Sequence, residues 1–154
     1  MCMACVMPAI RRGFTNLDGP LILVCLRPEP TRAEMLRMAN RPVPEQVHGL
    51  ALIDTGAKVS CVHIGVAHSL YQQVGVSQAY TPSTGEGEPF YAEVFFGSFS
   101  FPGVKMASRE QELLGMNLGY EVDGRPVLLL LGRDFLADFT LTVEGQTQMF
   151  ELRW

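Results

Sequence analysis

Residues 51–60 read ALIDTGAKVS. An apolar run from VHGLALI ends at Ile53, which suits a buried strand, and Asp54 follows at once. A carboxylate at the end of a buried strand has two readings. It is a solvated turn residue, or it is held by main-chain donors because it does chemistry. Thr55 adds a hydroxyl, and Gly56 lets the chain turn closely with its N–H free to donate to a carboxylate.

Working outward, PLILVCL at 20–26 reads as another buried strand. Residues 27–46, RPEPTRAEMLRMANRPVPEQ, interrupt the pattern. Their ends are proline-rich, and the middle predicts a short helix over 31–40, capped by Thr31 with Glu34 three residues on. This segment reads as a surface excursion inserted between two paired strands. Downstream, Ile64, Ala67, His68, Tyr71 and Val74 fall at helical spacing, and Gly75 can end that helix. Residues 81–106 predict β structure, with a mobile hairpin tip marked by Gly85 and Gly87 between Pro82 and Pro89. EVDGRPVLLLLG predicts a hairpin turning on Asp123-Gly124, and DFTLTVEGQTQMFELRW a second one around Glu144-Gly145. The whole predicts an all-β chain, a barrel or sandwich carrying short helices.

At 154 residues the chain is one domain, large enough to bury a core. Residues 1–19 carry little pattern and are expected to be an N-terminal extension, a pro-segment or a disordered arm; residues 20–154 form the domain. The formal charge of -4, with no basic run, argues against a nucleic-acid surface. No apolar segment approaches the roughly 18 residues of a membrane span. At the chain start, MCMACVMPAIRR, the basic residues follow the apolar ones, the wrong order for a secretory signal, which points to the cytoplasm. Cys2, Cys5, Cys25 and Cys61 read as free thiols in a reducing compartment; Cys2 and Cys5 also form a C-x-x-C, without a second ligand pair. His48, His63 and His68 show no zinc-ligand pattern, so neither a metal nor another cofactor is expected.

The larger pattern adds a resemblance. ALIDTGAKVS resembles the active-site signature of the aspartic proteases, matching at Ala51, Leu52, Ile53, Asp54, Thr55, Gly56, Ala57 and Ser60. LLLLGRDFL at 128–136 resembles that family's second hallmark, where hydrophobic residues and a glycine precede a short helix opening with Arg-Asp: Leu131, Gly132, Arg133 and Asp134 here. Motif order and the Gly-rich hairpin between them are similar to the single-lobed, retropepsin-like branch, over residues 20–154 apart from the excursion. The resemblance implies a closed acid-protease barrel with one or two short helices, working as an obligate homodimer on a polypeptide substrate. It implies Asp54 as the catalytic carboxylate, Thr55, Gly56, Ala57 and Ser60 as its loop support, and a flap of Thr84, Gly85, Glu86, Gly87 and Glu88. Only one D-T-G is present. Asp123 reads as a turn residue, and Asp134 as a helix-start residue able to bond Ser60, so the second catalytic carboxylate has to come from a second copy. Lys58 stands where retroviral enzymes usually carry another aspartate, so Arg133 needs a different partner. Glu86 and Glu88 replace the apolar tip residues of viral members. A different class remains beside the enzyme: the same fold kept as a catalytically silent dimerisation or peptide-binding module, against which the intact D-T-G argues.

Overall fold

The computed structural model describes residues 9–13, 18–79 and 90–154. Its centre is a closed six-stranded barrel. β2 (Leu21–Arg27) pairs antiparallel with β3 (Val47–Ile53), and β3 runs parallel to β9 (Arg125–Leu131). β9 pairs with β4 (Cys61–His63), β4 with β7 (Arg109–Met116), and β7 with β6 (Phe90–Ser100). The pairs Cys25↔Ser100 to Arg27↔Ser98 bring β6 back to β2 and close the ring. Closure leaves these six strands without a free edge between them, and their inward faces form one core. Val24, Leu26, Ala51, Val62, Phe95, Phe99, Leu113, Leu129 and Leu131 fill it. β9 lies between β3 and β4, which explains why it reads as an unbroken apolar run instead of an alternating one.

Three features lie outside the ring. β5 (Gln72–Ala79) adds to β6 as an outer strand, paired to Ala79↔Phe90. The expected flap residues Thr84, Gly85, Glu86, Gly87 and Glu88 fall in the connection between those strands and lie outside the described residues. β8 (Glu121–Val122) turns into β9 on Asp123 and Gly124, whose φ values of 51° and 72° make the two-residue hairpin turn that the Asp-Gly pair predicts. A separate sheet has the order β1-β11-β10, built from β1 (Ala9–Gly13), β10 (Thr140–Glu144) and β11 (Met149–Arg153). The C-terminal hairpin is as expected, but β1 comes from the segment that carried no sequence pattern. An outer strand held by main-chain bonds to β11 needs little side-chain signal.

The excursion at 27–46 does join two paired strands, and it carries α1 (Pro30–Met38). Its cap is Glu29, not Thr31: the Glu29 carboxylate accepts from the Thr31 and Arg32 N–H groups at 2.8 Å each. Pro30 occupies the first turn, where its missing N–H costs nothing and its ring presets φ. The helix predicted to reach Val74 is shorter. α2 (Ile64–Leu70) stops at Tyr71, which is extended (φ −116°, ψ 159°), and Val74 is a strand residue 52% exposed. Ile64, Ala67 and Tyr71 keep the helical spacing because they face the core; Val74 matched it by coincidence. Gly75 sits at a register shift of the β5–β6 ladder, where an irregular strand tolerates the missing side chain.

Tyr71 fixes where helix gives way to strand. It is buried, and its hydroxyl donates to the Ser98 carbonyl on β6 at 2.8 Å. Tyr71→Phe removes that buried bond, so urea unfolding is expected to show a loss of about 1–2 kcal/mol with an unchanged m-value.

Candidate active site

Because β3 and β9 are parallel, with Ile53 opposite Leu131, both strands release their chains at the same end of the barrel. The loop after β3 and the short helix α3 (Arg133–Leu136) after β9 are therefore neighbours. The ladder continues one step beyond the strands, as the Asp54 N–H donates to the Leu131 carbonyl at 2.9 Å. The Arg133 N–H reaches the Ala57 carbonyl at 2.9 Å, and the Arg133 guanidinium reaches the Thr55 carbonyl at 3.2 Å. The Thr55 carbonyl is thus a partner of the Arg133 guanidinium, and Lys58 is exposed.

Below the loop lies a buried clasp. Ser60 is fully buried; its hydroxyl donates to Asp134 Oδ1 at 2.7 Å and accepts from the Gly132 N–H at 2.9 Å. The Ser60 N–H donates to Asp134 Oδ2 at 3.0 Å, and the Gln111 side chain adds a donor to the same oxygen at 3.3 Å. The bond from Ser60 to Asp134 is the one the sequence suggested. Gly132 has to be glycine because the loop crosses it: a Cβ there would sit 2.8 Å from the Val59 carbonyl carbon and 3.0 Å from the Ala57 oxygen.

Asp54 is half-buried at the top of this arrangement, and its Oδ1 accepts from the Gly56 N–H at 2.9 Å. The Ala57 N–H donates to the Asp54 carbonyl at 3.2 Å, tightening the turn. Thr55 and Gly56 are exposed. The structure thus gathers Asp54, Thr55, Gly56, Ala57, Ser60, Leu131, Gly132, Arg133 and Asp134 at one end of the barrel. Chemically this is a carboxylate with a fixed main chain, one oxygen held by a backbone donor. Among the described residues, no cluster of His, Cys, Asp or Glu could hold a metal ion.

Two neighbours escaped the sequence reading. Tyr120 is 40% exposed; burial pushes its phenol up, and the charges of Asp54 and Asp18 push it further the same way. Nothing in NLGY marks that tyrosine as a neighbour of residue 54. Cys61 follows Ser60 directly, and burial, then Asp134, then Asp54, raise its thiol from 9.0 to about 11. Family models, curated proteins and solved structures all give no match to this chain.

Ser60→Ala removes the hydroxyl from both partners and strands the buried Gly132 N–H. A loss of about 1–3 kcal/mol is expected in urea unfolding, well above that of an exposed serine such as Ser69. Cys61 gives a pH signature. In the unfolded chain its thiol ionises near the ordinary value of 9.0, but in the folded chain only at about 11. The folded state binds that proton more tightly, so its contribution is intact below pH 9.0 and is lost as the pH rises toward 11. Urea melts across that window should show stability falling more steeply in the parent than in Cys61→Ala.

Proposed function

We propose that this chain is an aspartic endopeptidase of retropepsin-like type that works as a homodimer in the cytoplasm. The observation that carries the reading is the interlock of the D-T-G loop with the Leu131–Gly132–Arg133–Asp134 segment through Ser60, which holds Asp54 at one end of a closed β-barrel. Both halves of the sequence resemblance meet there, although they lie more than 70 residues apart in the chain.

One chain supplies one such carboxylate, so the reaction needs two copies with their Asp54 residues at the two-fold axis. Two carboxylates that close cannot both ionise easily and share one proton. The charged member takes a proton from a water lying between them, and the resulting hydroxide adds to the peptide carbonyl. The protonated member donates to the carbonyl oxygen, and a proton then passes to the leaving amine. The Gly56 N–H keeps the carboxylate oriented, and the Arg133 bond to the Thr55 carbonyl keeps the loop from lifting. An extended peptide lies across this end of the barrel, under the flap that the resemblance implies at Thr84 to Glu88. The C-terminal sheet, with Val143 and Met149 exposed, offers apolar surface to the second copy.

The deciding experiment is cleavage of a diverse peptide library from about pH 3 to about pH 8 by the parent and by Asp54→Asn. The parent is expected to cleave, the variant to fall by about 10³-fold or more while keeping its fold. Parent activity should drop faster than linearly on dilution, with sedimentation showing a dimer at the active concentrations. Peptide binding without turnover in the parent would establish the silent module instead, and full activity in Asp54→Asn would remove the assignment.

A further inference from the structure

A cavity of about 350 Å³ opens at the other end of the β2–β3 ladder, which pairs Leu21↔Leu52 beside Asp54 and Cys25↔His48 here. Cys25 and Arg27 reach it from β2, His48 from β3 and Ser100 from β6, while Phe101 and Met106 form an apolar wall. Among the described residues, no carboxylate lines it. The Cys25 sulfur lies 3.9 Å from His48 Nε2, and the Gln46 side-chain amide, 3.1 Å from the same nitrogen, steadies the ring. Cys25 is otherwise buried, so the cavity is the route by which a solute meets its sulfur. A thiol beside an imidazole, with a guanidinium on the same wall, is the combination that makes a cysteine nucleophilic toward anionic reagents.

We infer that Cys25 is a thiol-exchange site for small anionic disulfides, with His48 as its proton partner and Arg27 as the anchor for the reagent's carboxylate. The exposed Gln46 amide, which donates to His48 Nε2, swings away, the freed lone pair takes the thiol proton, and the Cys25 sulfur attacks one sulfur of the incoming disulfide. The S–S bond breaks, and the departing thiolate takes a proton back from His48. The products are a mixed disulfide at Cys25 and one small thiol; the incoming disulfide is the oxidant, so electrons and protons balance. Phe101 and Met106 cover the organic body, and the volume suits a ligand of a few tens of heavy atoms at most. Cys61 is the internal contrast. It too is buried, but it neighbours the carboxylates of Asp134 and Asp54, and its thiol is pushed up to about 11. This site stands independently of the protease reading.

The test treats the full chain with oxidised glutathione, an anionic disulfide, and separately with cystamine, a cationic one, and locates mixed disulfides by peptide-mapping mass spectrometry. Cys25 is expected to react in the folded protein, several-fold faster with oxidised glutathione than with cystamine, while Cys61 stays free until urea unfolds the chain. His48→Gln should slow the reaction with both reagents, and Arg27→Met should erase the preference for the anionic one. The inference is overturned if Cys25 reacts only in denaturant, if the two reagents react equally, or if His48→Gln reacts as fast as the parent. The reagent comparison on the parent stands even if a variant does not fold.

Discussion

The buried hydroxyl of Ser60 bonds to both sides of the second segment and anchors the two halves of the site to each other. Ser60 Oγ donates to Asp134 and accepts from Gly132, joining residues 74 and 72 positions away while fully buried. Water cannot replace the hydroxyl at the buried Gly132 N–H, so that donor bears its full desolvation cost if the hydroxyl goes, while the exposed Asp134 carboxylate keeps access to water. The parallel register of β3 and β9 makes this clasp possible, because only parallel neighbours deliver both loops to the same rim. Gly132 makes it tight enough, since any side chain would push the loop off. Asp54 inherits its place from these contacts, although it takes part in none of the buried ones.

Around that clasp the chain separates functions by position. The barrel core is built mainly from apolar side chains, with the Tyr71 hydroxyl bonded inside it, and it sets the spacing of the two loops. An aromatic series, Phe99, Phe101, Phe135, Phe139 and Trp154, links the core beneath α3 to the end of the C-terminal sheet. Phe135 and Phe139 stack at 4.5 Å, and the Arg109 guanidinium lies over both rings while pairing with Asp138. The terminal sheet is thereby tied mechanically to the helix that carries Asp134.

The parts of the sequence that could be read were those whose signal is local or carried by residue type. Asp123-Gly124 demanded its turn, the proline-flanked excursion demanded a surface position, and Ser60 and Asp134 were each in the right local setting to meet. What could not be read depended on tertiary competition. Helical spacing at Tyr71 and Val74 gave way because the segment gains more by pairing with β6 than by another helical turn. Glu29 displaced Thr31 as the cap because its longer side chain reaches back over Pro30, a geometry that no spacing rule favours. β1 is held by backbone bonds, and Tyr120 comes within the field of the Asp54 charge only in the folded chain; neither leaves a trace in a linear pattern.

The closing seam of the barrel also orders events in time. Each antiparallel hairpin joins segments near in sequence, so β8–β9 and β10–β11 can form within microseconds. The β3–β9 pair aligns Leu50 with Val127, and the β2–β6 seam aligns Cys25 with Ser100, each closing a long loop before any contact repays it. Ser60 can reach Asp134 and Gly132 only after the first of these has happened. The clasp beneath Asp54 is therefore made only on a chain in which β3 and β9 have already paired.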